Sequence, residues 1–215
     1  MLAAFALIAI AAQRSWREER WVGIYRPDTT SSEQEISVVF VDLAGFTRFS
    51  EQREPQQVTA MLNTYFTRAI PPVVEQFGGH IDRIVGDAIM VTFNVLGDQP
   101  DHAQRAVGAA LAIQETTGAV ASAHPDWPRF RAGVNTGTAA VGVLGTGGGR
   151  TYTVIGDVVN VAARLEGKAP VGNVAIGAET RRRVPGLRTE ALGQLDVKGR
   201  ERSVEAYRVI DLRDR

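Results

Sequence analysis

The stretch ISVVFVDLAGFT, Ile36 to Thr47, sets the frame in which the rest of the chain is read. Ile36 to Val41 is an apolar run rich in β-branched residues, the pattern of a buried strand. Asp42 stands at its end, followed by a glycine-containing loop and the start of a helix. A carboxylate there lies beside backbone N–H groups aimed at the same point. Such a place suits a divalent cation next to a phosphate: the carboxylate holds the cation and the amides hold the anion. A helix-capping aspartate at a strand-to-helix turn is the plainer alternative.

Downstream the pattern stays mixed. Gln56 to Ala69 has helical periodicity, with Val58, Met61, Leu62 and Phe66 on one face, and Pro71-Pro72 bends or restarts that helix. Gly78-Gly79 opens a hairpin with strands His80 to Val85 and Ala88 to Phe93 and Gly86-Asp87 as its tight turn. Asp101 to Ser122 is a long Ala-rich helix. Phe130 to Val134 and Ala139 to Leu144 are two more strands, and GTGGGR, Gly145 to Arg150, is a tip. Asp157 caps a helix running through Val161 to Leu165. Two or three short strands, including Val204 to Ile210, finish the chain. The order β-α-α-β-β-α-β predicts an α+β fold. It is a ferredoxin-like βαββαβ core with additional strands and helices, a mostly antiparallel sheet flanked by helices.

Upstream, Leu2 to Ala12 (LAAFALIAIAA) is apolar throughout, and Arg14, Arg17 and Arg20 follow. As a helix, these eleven residues span about 16 Å, short of the roughly 30 Å hydrocarbon core. The segment is the tail of a membrane anchor or a helix packed on its own domain or on a partner. The following arginines favour a cytoplasmic place for the rest, tethered or not. Pro27 to Glu35 (PDTTSSEQE) is polar and turn-rich, so residues 1–35 form an N-terminal helix and linker and residues 36–215 the folded domain. A net charge of zero argues against a nucleic-acid partner. Without cysteine there is no disulfide framework and no cysteine metal site. Of 24 basic residues only Lys168 and Lys198 are lysines.

Two further motifs carry chemistry. A hairpin beside the first strand brings Asp87, in the Gly-Asp turn, near Asp42. Two carboxylates on adjacent strand ends can hold two Mg2+ ions about 4 Å apart, the arrangement for hydroxyl attack on phosphorus; Gly-Asp turns alone are common. In TVIGDVVNVAAR, Thr153 to Arg164, Asn160 and Arg164 share one helix face. An amide and a guanidinium there can grip a sugar and a phosphoryl group, or form an ordinary exposed polar stripe. The remaining candidates have bland readings: His80, His102 and His124 as structural or exposed, Trp16, Trp21 and Trp127 as packing, Arg181 to Arg183 as a solvated helix face, Phe46 and Phe49 as core.

FVDLAGFT, GGHIDRIVGDAIMVTF, TYTVIGDVVNVAARLE and LDVKGRERSVEAYRV, in this order, resemble class III adenylate and guanylate cyclase catalytic domains. The likeness runs from about Ile36 to Val209. It implies Asp42 and Asp87 as the metal aspartates, with the Leu43 carbonyl on one of two Mg2+ or Mn2+ ions per site. It implies Ala44, Gly45, Phe46 and Thr47 as the phosphate loop and Lys198 as the polyphosphate lysine. Asn160 would orient the ribose, and Arg164 would stabilise charge on the α-phosphate. In the family the metal aspartates come from one chain and the Asn, Arg and base-reading residues from the other, so a homodimer would hold two shared sites, with the glycine-rich tip reaching toward the partner.

The sequence departs from the family pattern at the base. Adenylate cyclases of this class usually carry a lysine three residues before the Gly-Asp turn and an aspartate seven before the asparagine; here stand Arg83 and Thr153. Threonine occurs there in bacterial adenylate cyclases, and its hydroxyl can accept from the adenine amino group. Arg83 donates to adenine N1 but cannot accept from guanine, where guanylate cyclases place a glutamate. The scarcity of lysine accounts for an arginine at 83 and makes Lys198 the more informative. The expectation is an adenylate cyclase acting on ATP. A guanylate or relaxed cyclase, or an ATP-binding regulatory module without turnover, are the alternatives.

Overall fold

The computed structural model describes residues 32–144, 151–195 and 203–212. The apolar N-terminal segment, most of the linker, the tip Gly145 to Arg150 and Lys198 lie outside the described residues. The described α-helices and β-strands are β1 (Ser32–Leu43), α1 (Phe46–Glu51), α2 (Pro55–Pro71), β2 (His80–Val85), β3 (Ala88–Phe93), α3 (His102–Ala123), β4 (Phe130–Leu144), β5 (Thr151–Ile155), α4 (Asp157–Lys168), β6 (Val174–Gly177), α5 (Ala178–Arg183), β7 (Leu187–Leu195) and β8 (Val204–Leu212), and a π-helical turn, Pro72–Gln76, follows α2. The strands form one sheet in the order β2-β3-β1-β4-β6-β8-β7, with β5 on β4. The pairings are antiparallel except β4 with β6. This is the expected α+β architecture.

The central place of β1 explains its apolar run. Val39, Val41 and Leu43 enter a core shared with Met61 and Tyr65 of α2 and Val107 and Ile113 of α3. Ile36 and Val38 enter a second core with Val158 and Ala162 of α4. A strand covered on both faces has no solvent side on which polar residues could alternate. Helix α4 lies directly on β4 because residue 133 is glycine. A Cβ there would stand 2.1 Å from the Glu166 amide nitrogen and 2.3 Å from the Ala162 carbonyl oxygen.

Several boundaries differ from the sequence reading. Phe130–Val134 and Ala139–Leu144 are one strand, β4. The intervening Asn135-Thr136-Gly137-Thr138 suggests a turn, yet it pairs with Glu35 to Val38 of β1. Its polar groups find distant partners: Asn135 Nδ2 donates to the Val158 carbonyl at 3.3 Å, and the Thr136 hydroxyl meets Ser37 Oγ at 2.7 Å. The same pairing draws Ser32 to Glu35 out of the supposed linker and into β1. Gly156, not Asp157, caps α4, and Asp157 is its first helical residue. His102 is buried, bonded to Ser37 Oγ at 2.9 Å and to Glu35 Oε1 at 3.3 Å. Arg181 to Arg183 are not merely solvated: Arg182 and Arg183 pair with Glu179, and Arg181 lies over the Tyr207 ring.

Candidate active site

The β1–β3 register carries the Gly86-Asp87 turn to the end of β1, since Val41 stands opposite Ile89. Gly86 takes φ +61, a left-handed conformation that a two-residue hairpin turn assigns to glycine. Asp87 then turns back onto β1, and its Oδ2 accepts from the Leu43 amide at 3.2 Å. Asp42 and Asp87 thus converge as expected. The juxtaposition pushes the Asp87 carboxyl from its ordinary 3.8 up to about 7, first through burial, then through the hydrogen bond and the charge of Asp42. The Asp42–Asp87 pair therefore fits a divalent cation: a positive charge between the two oxygens would replace the proton they otherwise share. Among the described residues no group of three or more His, Cys, Asp or Glu side chains is placed to hold a metal ion. One or two carboxylates are what Mg2+ usually takes from a protein, with retained waters and substrate phosphates completing its shell.

The loop after β1 runs into α1, whose N-cap is Gly45. The Ala44 amide donates to the Arg129 carbonyl at 3.0 Å, so it is spent on the fold. The amides of Gly45, Phe46 and Thr47 open the first turn of α1, where no intrahelical acceptor reaches them. The Phe46 and Phe49 side chains pack against the core.

Asn160 and Arg164 are exposed on α4, one turn apart, opposite the buried Val158, Val161, Ala162 and Leu165. The carboxylate pair belongs to the end of β1 and the β2–β3 turn, and the Asn–Arg face to α4.

Arg83 and Thr153, 70 residues apart in sequence, meet directly. Arg83 Nη2 donates to Thr153 Oγ1 at 2.5 Å. Thr153 is buried, whereas the Arg83 side chain is half exposed.

A family model described as the adenylate and guanylate cyclase catalytic domain matches residues 29–211. The chain belongs to this family.

This cyclase domain is 36% identical over 184 residues to Adenylate cyclase 1 of Rhizobium meliloti (strain 1021), an overlap of 82% of this chain and 28% of that protein. The chain thus spans well under half the length of that relative. The adenylyl cyclase CyaB from P. aeruginosa superposes with a TM-score of 0.78 at 32% identity, over 86% of this chain and 98% of that one. The guanylate cyclase domain of RhGC from Catenaria anguillulae, solved in complex with GTP, superposes with a TM-score of 0.77 at 28% identity, over 85% and 100%. Relatives of both base specificities share the fold, so similarity establishes a cyclase domain without choosing the base.

Two features of the cyclase domain escape the motifs. Arg131, the register partner of Asp42, donates from Nε to Glu166 Oε1 at 2.5 Å. Burial raises the Glu166 carboxyl above its ordinary range against the pull of Arg131, and the Asp42 charge adds to the rise. The second is Asp82, which touches both base-reading candidates. A clue lay only in its place beside Arg83, which regular strand alternation assigns to the opposite face.

Proposed function

We propose that this domain is an adenylate cyclase that converts ATP to 3′,5′-cyclic AMP and pyrophosphate at sites shared by two copies of the chain. The contact between Arg83 and Thr153 carries the choice of ATP. It sets a donor beside an oxygen that can accept, the complement of adenine N1 and the adenine amino group. Guanine offers a donor at N1 and an acceptor at C6, and Arg83 has no lone pair for it.

Asp42, Asp87 and the Leu43 carbonyl would hold two Mg2+ or Mn2+ ions, which supply charge neutralisation and a more acidic 3′-hydroxyl. Gly45, Phe46 and Thr47 present amides to the β- and γ-phosphates, and Lys198 adds a point charge there. Attack of the 3′-hydroxyl on the α-phosphorus expels pyrophosphate. Asn160 orients the ribose, and Arg164 meets the charge that builds on the α-phosphoryl oxygens. The exposure of Asn160 and Arg164 supports their service to the metal-binding end of a second copy. The test is turnover of ATP and GTP on one preparation with Mg2+ or Mn2+, read as cyclic AMP and cyclic GMP. A higher kcat/KM for ATP is expected; equal values or a preference for GTP overturn the assignment.

Among the described residues no helix is long and apolar enough to cross a membrane. The sequence reads residues 1–35 as a helix and linker. We assign residues 1–31 to dimerisation or tethering at the cytoplasmic face of a membrane, because Ser32 to Glu35 belong to the sheet.

A further inference from the structure

Asp82 sits at an irregularity of the sheet. In the β2–β3 ladder Ile81 stands opposite Val91 and Arg83 opposite Met90, so Asp82 is an extra residue without a partner. Such a bulge re-aims side chains that a regular strand would send to opposite faces. Here Asp82 and Arg83 both reach Thr153. Arg83 Nε donates to Asp82 Oδ2 at 2.6 Å, Thr153 Oγ1 donates to Asp82 Oδ1 at 3.2 Å, and Arg83 Nη2 donates to Thr153 Oγ1 at 2.5 Å. The Asp82 side chain is 4% exposed, so this closed ring lies out of water on its acidic side.

The ring has a directional consequence. An ionised carboxylate can only accept. The single hydroxyl proton of Thr153 is therefore committed to Asp82, and one lone pair on Thr153 Oγ1 is committed to Arg83. What Thr153 has left is an acceptor. We infer that Asp82 is a positioning residue that fixes Thr153 as an acceptor and aims Arg83 as a donor, and so makes the base site select a 6-amino purine over a 6-keto purine. This rests on the ATP reading above and names the residue that enforces it. Without Asp82 the Thr153 hydroxyl is free to rotate and donate, and a 6-keto group becomes an acceptable neighbour.

The test uses the full chain and three triphosphates: ATP, ITP and GTP. ITP differs from ATP only at the 6-position and the N1 proton. Asp82→Asn keeps the side-chain volume but offers one acceptor where two donors call, so one of Arg83 and Thr153 loses its partner. The expected result is a fall of about ten-fold or more in the ATP to ITP ratio of kcat/KM, with Thr153→Ser keeping the ratio and Thr153→Val losing it. In the Thr153→Val background Asp82→Asn should change the ratio no further. A merely structural role would lower all three substrates together, and an unchanged ratio in folded Asp82→Asn overturns the inference. If Asp82→Asn does not fold, Thr153→Val with an unchanged ratio overturns it instead. Wild-type protein that prefers GTP overturns the ATP reading and this inference together. Wild-type preference for ATP with an unaltered Asp82→Asn ratio overturns the Asp82 assignment alone.

Discussion

Two acidic clusters occupy the same hairpin, and they are built in opposite ways. At the turn, Asp87 meets another carboxylate, Asp42, and its proton affinity rises toward neutrality. Five residues earlier, Asp82 meets a guanidinium and a hydroxyl, and both its oxygens are satisfied within the chain. The first cluster is electrostatically unfinished and has use for an outside cation. The second is finished, and a finished hydrogen-bond ring holds its members in one orientation. The first leaves charge that a metal ion could complete, and the second has its polar geometry set within the chain.

The sharpest way to break this comparison is Asp42→Ala. Cyclic nucleotide formation should fall about a thousand-fold or more, since a metal ligand and its charge are both lost. Above about pH 7 stability should not fall with it, because with both carboxyls ionised the variant removes a repulsion. Turnover and Tm measured on one preparation check both, and full retained activity would end the two-metal assignment. Arg164→Ala comes next, with a loss of about a hundred-fold in kcat and no change in Tm, since the side chain is exposed. Mixing it with Asp42→Ala should restore activity, because one of the two sites in a mixed dimer is then intact. No recovery on mixing would sink the shared site.

A smaller effect concerns pH. A carboxyl whose folded pKa lies above its unfolded value binds its proton more tightly in the folded state. Between about 4, where the unfolded group titrates, and about 7, where Asp87 titrates, the metal-free domain should lose stability as pH rises. Asp87 is partly exposed, so the fall in Tm attributable to it should be only a few degrees. Scans in chelator should show this slope, and millimolar Mg2+ or Asp87→Asn should flatten it. A slope identical in wild type and Asp87→Asn would remove the unfinished character of this cluster. The smallest expected effect is on the chain beginning at Ser32. Its kcat at saturating dimer should match the full chain while dimer affinity drops; unchanged affinity and unchanged membrane association would show that residues 1–31 do neither job.

Much of the architecture is legible in local signals. The apolar run of β1, the Gly-Asp turn of the β2–β3 hairpin and the periodic faces of α2 and α3 each depend on neighbours in sequence. The Asp42–Asp87 pair was legible for the same reason, since a tight turn beside a strand end leaves little freedom. The division of β4 into two strands failed because Asn135 to Thr138 interrupts the apolar pattern, while the partners that satisfy its polar groups lie on β1 and α4. The start of α4 failed by one residue, because Gly156 rather than an acidic side chain caps it.

What the sequence alone determined is the family, an α+β cyclase domain, and the candidate groups Asp42, Asp87, Asn160 and Arg164 at their spacings. Tertiary structure decided how the candidate base-reading groups are wired. Alternation along β2 separates Asp82 from Arg83, and only the bulge against β3 brings both to Thr153. A bulge is a property of two paired strands, and the contact it creates joins residues about 70 positions apart. No local pattern encodes that meeting, because the free energy that favours it is released only when the sheet is assembled.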